Sequence, residues 1–154
     1  MFMIPAPKKA ETEKKVFNLP DDLMQTIDEF GIGEYVSRSD FLTSAIRNYL
    51  RDIQRHRNEM EERIFRKNGN IAEAIERSYE KIFDYMAGQK KCLSRYNSKE
   101  HTSITLYLPK MLIMHTNFFI DKQGPVRNFQ EFARIACILE LDEMERLCDG
   151  YVDI

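Results

Sequence analysis

The sequence predicts a mainly α-helical protein with short β-ribbons, in which a strand-helix-helix unit occurs twice and a helical linker joins the two copies. Two observations predict this architecture. Short segments that end in Leu-Pro occur at residues 14–20 and 103–109. After each of them, apolar residues at helical spacing are interrupted by a glycine-containing turn and resume behind a capping Ser or Asn. Because internal repetition decides the fold class, we analyse the chain as two copies of one unit.

The composition is that of a globular protein. Of the 154 residues, 43% are hydrophobic and 31% are charged, so the chain is too apolar for a disordered one. No apolar run approaches the roughly 18 residues that a membrane span needs. The first five residues are too short and wrongly ordered for a secretory signal. Three cysteines without a CxxC pattern indicate reduced thiols, so we expect a cytoplasmic protein.

Charge is distributed asymmetrically along the chain. The formal net charge is only −2, so binding to a polyanion requires clustered basic residues. The N-terminal arm and the segment that follows carry such a cluster, formed by Lys8, Lys9, Lys14, Lys15, Arg38, Arg47, Arg51, Arg55, Arg57, Arg63, Arg66 and Lys67. The last fifty residues are net acidic.

The first copy spans residues 14–53, after a flexible basic arm at 1–13. Pro20 ends its strand and suits the first turn of the next helix, which we expect at about 20–30. Glycines at 31 and 33 break that helix. Ser37 then caps a second helix, and Asp40 three residues later completes a capping-box pattern.

Residues 54–101 are predicted to be a helical extension and connector. The second helix has no Gly or Pro before Asn68, so we expect it to continue to about Lys67. Asn70 then caps a third helix, with Glu73 three residues later. Its predicted buried stripe is Ile71, Ile75, Tyr79, Ile82 and Met86.

The second copy spans residues 102–148 and leaves a tail at 149–154. Its strand ends at Pro109, and a short helix with Leu112 and His115 follows. Asn128 takes the place of Ser37 as cap, and Glu131 takes the place of Asp40. The predicted buried face of the last helix is Phe132, Ile135, Ala136 and Leu139.

The period of two along a strand separates the inner from the outer side chains of each ribbon. The predicted inner residues are Lys15, Phe17 and Leu19 in the first copy, and Ile104, Leu106 and Leu108 in the second. Lys15 departs from the apolar pattern. The predicted outer residues are Lys14, Val16 and Asn18, and Ser103, Thr105 and Tyr107.

A strand ending in Leu-Pro, a short helix, a Gly-containing turn and a Ser- or Asn-capped helix resemble the ribbon-helix-helix family of DNA-binding proteins. The resemblance rests on Val16–Leu23, Ser37–Leu42 and Ala45–Arg47 in the first copy, and on Ile104–Pro109 and Asn128–Arg134 in the second. It implies a transcriptional regulator, such as a repressor, whose two-stranded ribbon enters the major groove of double-stranded DNA.

The same resemblance implies roles for individual residues. The outer strand residues Lys14, Val16, Asn18, Ser103, Thr105 and Tyr107 are expected to read bases, and Lys14 and Asn18 suit guanine and adenine respectively. The second copy is the less typical one, and Tyr107 is equally plausible as a packing residue. The helix starts are expected to clamp phosphates through Ser37, Arg38, Ser39, Arg127 and Asn128.

The main alternative is a protein-interaction module or an antitoxin-like regulator, in which the second unit and the central helices bind a protein partner. Three dispersed histidines predict no metal site, and no motif predicts a cofactor or enzyme activity. The linker permits the two copies to pair within one chain, or each copy to pair with its twin in a second chain. We expect the second arrangement, a homodimer, because two-fold pairs are the commonest oligomers.

Overall fold

The computed structural model describes residues 11–31 and 37–152, without the side chains of 149–152. Most of the basic arm, Gly33 and the end of the tail lie outside the described residues. The described elements are β1 (Thr12–Pro20), α1 (Asp21–Thr26), a π-helical turn (Ile27–Gly31), α2 (Arg38–Asn68), α3 (Ile71–Gln89), a 3-10 turn (Lys90–Arg95), β2 (His101–Pro109), α4 (Lys110–Asn117) and α5 (Phe129–Val152). The predicted order of a strand and two helices thus occurs twice in a mostly helical chain.

The two strands form one antiparallel ribbon within a single chain. β1 pairs with β2 along its whole length, and Val16 lies opposite Thr105. This pairing corrects the expectation that each strand pairs with its twin in a second chain. A homodimer stays a prediction, but the ribbon does not require one.

Local signals placed the helix boundaries correctly. The Ser37 hydroxyl accepts a hydrogen bond from the Asp40 amide, and α2 continues without interruption for 31 residues. It ends where Gly69 adopts a left-handed conformation with φ of 66°. The Asn70 side chain then accepts from the Glu73 amide and starts α3. The predicted long helix and all three predicted caps, including Asn128, are confirmed.

The buried face of α3 differs from the predicted one over its first two turns. Ile71 is 58% exposed and Ile75 is 42% exposed, so the predicted stripe is wrong at these two positions. The small residues Ala74 and Ser78 are buried instead, because they let α3 approach α2 closely. Ile82 and Met86, near the other end of the helix, are buried as predicted.

One hydrophobic core joins both copies. It lies under the ribbon, where Phe17, Leu19, Leu106 and Leu108 are buried, and it continues between the helices that pack on α2. The rings of Tyr49 on α2 and Phe132 on α5 meet with centroids 4.7 Å apart, near the centre of this core. Among the described residues, no helix is both long and apolar enough to cross a bilayer.

Candidate nucleic-acid interface

The outer face of the ribbon consists of three cross-strand pairs. Lys14 lies opposite Tyr107, and the two pairs that follow are Val16 with Thr105 and Asn18 with Ser103. All six side chains are exposed, and Tyr107 is 67% exposed, so it is not a packing residue in this chain. The inner and outer faces that the sequence predicts are therefore the ones that the structure has.

Lys15 lies on the inner face, as the period of two requires. Its ammonium group lies 5.8 Å from the centre of the Phe129 ring, at the start of α5. This cation–π contact explains how a lysine is accommodated among inward apolar side chains. The half-buried position leaves Lys15 pointing away from the face formed by Lys14, Val16 and Asn18.

Asn18 is held at one end of the ribbon by contacts from both sides. Its side-chain oxygen accepts a hydrogen bond of 2.6 Å from the Ser103 hydroxyl. Its backbone amide donates to Gln130, and its carbonyl accepts two bonds from the Arg134 guanidinium, the shorter of 2.7 Å. Half-burial lowers the pKa of Arg134 from its usual value, since desolvation disfavours its charged form. The ribbon is thereby attached to the first turns of α5.

The sequence pattern did not identify Gln130 and Arg134 as contacts of the ribbon. They lie within the first two turns after the cap Asn128, on the side of α5 that faces the strand. Their signal in the sequence is that both are polar residues within the first two turns after the cap Asn128.

The other end of the ribbon lies beside the start of α2. A shallow groove of about 650 Å³ separates Thr105 and Tyr107 from Ser39, Thr43 and Arg47. The Arg47 guanidinium makes no hydrogen bond or ion pair with any described residue. Arg47 belongs to the basic cluster visible in the sequence, but no sequence motif assigns it to the interface.

Arg38 has a partner within the protein. Its guanidinium binds the Asp28 carboxylate through two hydrogen bonds, of 2.7 and 2.5 Å. The hydrogen bond to Arg38 lowers the pKa of Asp28, and the reciprocal contact raises the pKa of Arg38. A phosphate at the predicted clamp must therefore compete with a carboxylate, so Arg38 is poorly prepared for that role. The neighbouring Ser37 accepts from the Asp40 amide, as a helix cap.

The start of α5 resembles a capping box, except that the Glu131 carboxylate reaches the amide of Arg127, the residue before the cap. The Asn128 side chain accepts from the Glu131 amide at 2.8 Å, and the Glu131 carboxylate accepts from the Arg127 amide at 2.9 Å. The same carboxylate forms a 2.6 Å ion pair with Lys90. The Arg127 side chain is exposed and has no ion pair with the described part of the chain. It is thus available to an external anion.

No group of three or more His, Cys, Asp or Glu side chains in ranges 11–31 and 37–152 is arranged to hold a metal ion. Cys92 and Cys137 are buried, and burial raises the pKa of the Cys92 thiol to about 11. Cys148 is exposed. The arrangement presents a polar strand face with a helix start at each end of it.

Comparison of the chain with protein-family models, with characterised proteins and with solved structures finds no match.

Proposed function

We propose that this protein is a sequence-specific DNA-binding transcriptional regulator of the ribbon-helix-helix type. The observation that carries the proposal is the ribbon itself, whose outer face exposes six side chains in three cross-strand pairs. A two-stranded ribbon has the width of the major groove, where each base pair presents a distinct pattern of donors and acceptors. Here a single chain supplies both strands, so one chain forms one complete ribbon for base recognition.

The outer side chains have the chemistry that base recognition uses. Asn18 retains a side-chain amide N–H group and one oxygen lone pair beyond its bond to Ser103, which suits the two hydrogen bonds that adenine offers. Lys14 suits guanine, and the methyl group of Thr105 suits contact with thymine. The six residues differ between the two strands, so we expect a binding site without exact two-fold symmetry.

Phosphate contacts are expected from α2 and from the start of α5, at opposite ends of the ribbon. Arg47 lies on α2 beside one end of the ribbon, and Arg127 precedes α5 at the other end; neither has an ion pair within the described residues. Lys14 is assigned to a base, so two guanidinium groups remain for phosphates. Neutralising two phosphates gives a slope of about −2 in the plot of log K against log salt. Lysines of the arm add to this value if they also contact DNA.

The test begins with selection of preferred duplexes from a random library, followed by anisotropy titrations at two salt concentrations. Asn18→Ala is expected to cost about 1–3 kcal/mol on the selected site and to relax the preference at one base pair. Arg47→Ala is expected to weaken all duplexes alike and to reduce the salt slope by about one. Arg51→Ala is the matched control, because it removes the same charge one turn further along α2.

Two outcomes contradict the proposal. One is the absence of binding at low salt to any duplex in the library. The other is a loss of affinity with Arg51→Ala equal to that with Arg47→Ala, together with no change of base preference for Asn18→Ala. That pattern indicates general attraction of a polyanion to basic residues and not recognition by the ribbon.

A protein-interaction module, including an antitoxin-like regulator, is the second candidate. The observation in its favour is apolar surface at the far end of the α2–α3 hairpin, where Phe65, Ile71 and Ile75 are all exposed. Ile75→Glu separates the two candidates, since it alters this surface without touching the ribbon. It leaves DNA binding unchanged under the first proposal and abolishes partner binding under the second.

A further inference from the structure

On one side of the molecule, α3 covers a surface formed by α2 and the segment after α4. The ring centre of Tyr79 on α3 lies 6.1 Å from that of Phe119 and 4.9 Å from the guanidinium carbon of Arg57 on α2. Phe119 is only 3% exposed. Among the described elements, no second helix packs on α5 in the way that α3 packs on α2. The internal repeat is therefore covered by a helix on one side only.

The repeat locates the equivalent surface on the other side. Corresponding residues lie 89 positions apart up to the first helix and 91 positions apart in the second helix, counted from the prolines and from the caps. The buried pairs that keep the first offset are Leu23 and Leu112, Met24 and Ile113, and Ile27 and Thr116. Phe30 is thus the counterpart of Phe119, and Cys148 on α5 is the counterpart of Arg57. Both Phe30 and Cys148 are exposed and line a groove of about 340 Å³, which corresponds to the position that Tyr79 fills.

The groove and the surface next to it are largely apolar. The apolar side chains that line the groove are Phe30, Tyr96, Leu141 and Met144. One turn after Met144, Leu147 is 51% exposed. Its counterpart on α2 is His56, whose ring stacks on Tyr85 of α3 with centroids 4.4 Å apart. Positions that contact α3 on the covered side therefore carry exposed apolar residues on this side, as in grooves that bind an amphipathic helix.

The charge of this groove differs from that of the covered side. Where α2 has Arg51 and Gln54, α5 has Asp142 and Glu145, and no Lys or Arg is among the described residues that line the groove. Asp142 pairs with Arg95, whereas Glu145 has no ion pair within the described part of the chain. A positively charged partner complements Glu145. Two copies of the groove facing each other bring like charges together, which disfavours self-association through this surface.

We propose that this groove binds an amphipathic helix of a partner protein, one that carries an aromatic side chain flanked by lysines or arginines. The aromatic side chain packs on Phe30 as Tyr79 packs on Phe119, and a flanking cation pairs with Glu145. The partner helix is thus a basic equivalent of α3. The groove shares no residue with the ribbon, so the proposal does not rest on DNA binding and either one can fail without the other.

A synthetic peptide derived from α3 tests the proposal, because α3 fills the equivalent position on the covered side. The peptide has the sequence of residues 70–89 with blocked ends, a fluorescent label and the changes Glu76→Lys, Glu80→Lys and Asp84→Lys, which make it basic. Titration with the full chain is followed by fluorescence anisotropy. We expect saturable binding of this basic peptide, by about tenfold or more tighter than that of the unchanged, acidic sequence. Tyr79→Ala within the basic peptide is expected to weaken binding by about tenfold or more.

Matched variants of the full chain locate the binding site. Phe30→Ala is expected to weaken binding of the basic peptide by about tenfold or more, whereas Phe118→Ala removes a similarly exposed ring outside the groove and leaves the affinity unaltered. Glu145→Gln is expected to weaken binding about threefold, and the same change at Glu59 on α2 is expected to have no effect. All four side chains are exposed, so each variant is expected to keep the melting temperature of the parent chain.

Four results overturn the proposal. They are the absence of saturable binding of the basic peptide, equal binding of the unchanged peptide, a loss of affinity with Phe118→Ala equal to that with Phe30→Ala, and unchanged affinity in both Phe30→Ala and Glu145→Gln. Light scattering of the chain without peptide tests a different occupant. A mass of twice 18.3 kDa that falls to 18.3 kDa in Phe30→Ala shows that a second copy occupies the groove, and this result also overturns the proposal.

Discussion

Truncation of adjacent strand residues measures directly which face of the ribbon is buried. Phe17 is 1% exposed and its ring stacks on Phe129 with centroids 5.6 Å apart, whereas Val16 beside it is 53% exposed. Replacing a buried Phe by Ala costs about 3–5 kcal/mol of unfolding free energy, and loss of the ring pair favours the upper part of that range. Val16→Ala removes mostly exposed atoms, so we expect a cost of about 1 kcal/mol or less.

Urea denaturation followed by far-ultraviolet circular dichroism resolves this difference. For a slope of about 2 kcal/mol per molar urea, Phe17→Ala lowers the midpoint by about 2 M and Val16→Ala by about 0.5 M or less. The slope itself is expected to stay constant in both variants, because neither changes the surface exposed on unfolding by much. If the total stability lies at the lower end of the usual range of about 5–15 kcal/mol, Phe17→Ala brings the protein close to the limit of folding.

Equal costs for the two substitutions refute the reasoning. Such a result means that Val16 is as buried as Phe17, and the outer face proposed to read bases is then covered by something else. A larger cost for Val16→Ala than for Phe17→Ala means that the faces are reversed. Either result also removes the basis of the proposed DNA interface, since that interface consists of the exposed face.

Three further predictions address packing, thiol chemistry and assembly. A Cβ atom added to Gly31 would lie 2.9 Å from the Phe41 ring. Gly31→Ala is therefore expected to lower the free energy of unfolding by about 1–3 kcal/mol, measured by urea denaturation. An unchanged urea midpoint contradicts this close contact. Near neutral pH, Ellman's reagent is expected to modify only the thiol of exposed Cys148 rapidly. Burial slows the other two thiols, because it raises the pKa of Cys92 and Cys137. Rapid modification of all three thiols contradicts this expectation and shows that the core opens. For the homodimer expected on grounds of symmetry, light scattering should give twice the chain mass of 18.3 kDa, and a mass near 18.3 kDa contradicts it.

Local physics made the boundaries and faces of the elements predictable from the sequence. A cap acts over three residues, so Ser37, Asn70 and Asn128 were recognisable without knowledge of the fold. A strand alternates with period two whatever its partner, so the outward position of Asn18 and Tyr107 followed from counting. The unbroken α2 followed from the absence of Gly and Pro over its length.

The strand pairing and the buried face of α3 could not be predicted from the sequence, because the alternative arrangements fit the local pattern equally well. Pairing β1 with β2 or with its own twin buries the same alternating side chains, so the pattern does not distinguish them, and the fold pairs the two within one chain. The first turns of α3 carry two pairs at helical spacing, Ile71 with Ile75 and Ala74 with Ser78. Ala74 and Ser78 are the buried pair, because their small side chains allow α2 to pack closely against α3.

Contacts between residues distant in sequence explain the remaining differences. Asp28 meets Arg38 from the preceding helical segment, and Arg134 meets the Asn18 carbonyl from the other copy. The groove lined by Phe30 and Met144 exists only once the π-helical turn and α5 are assembled. A linear pattern records which side chains share a face of one element, and the packing of elements decides which of them meet.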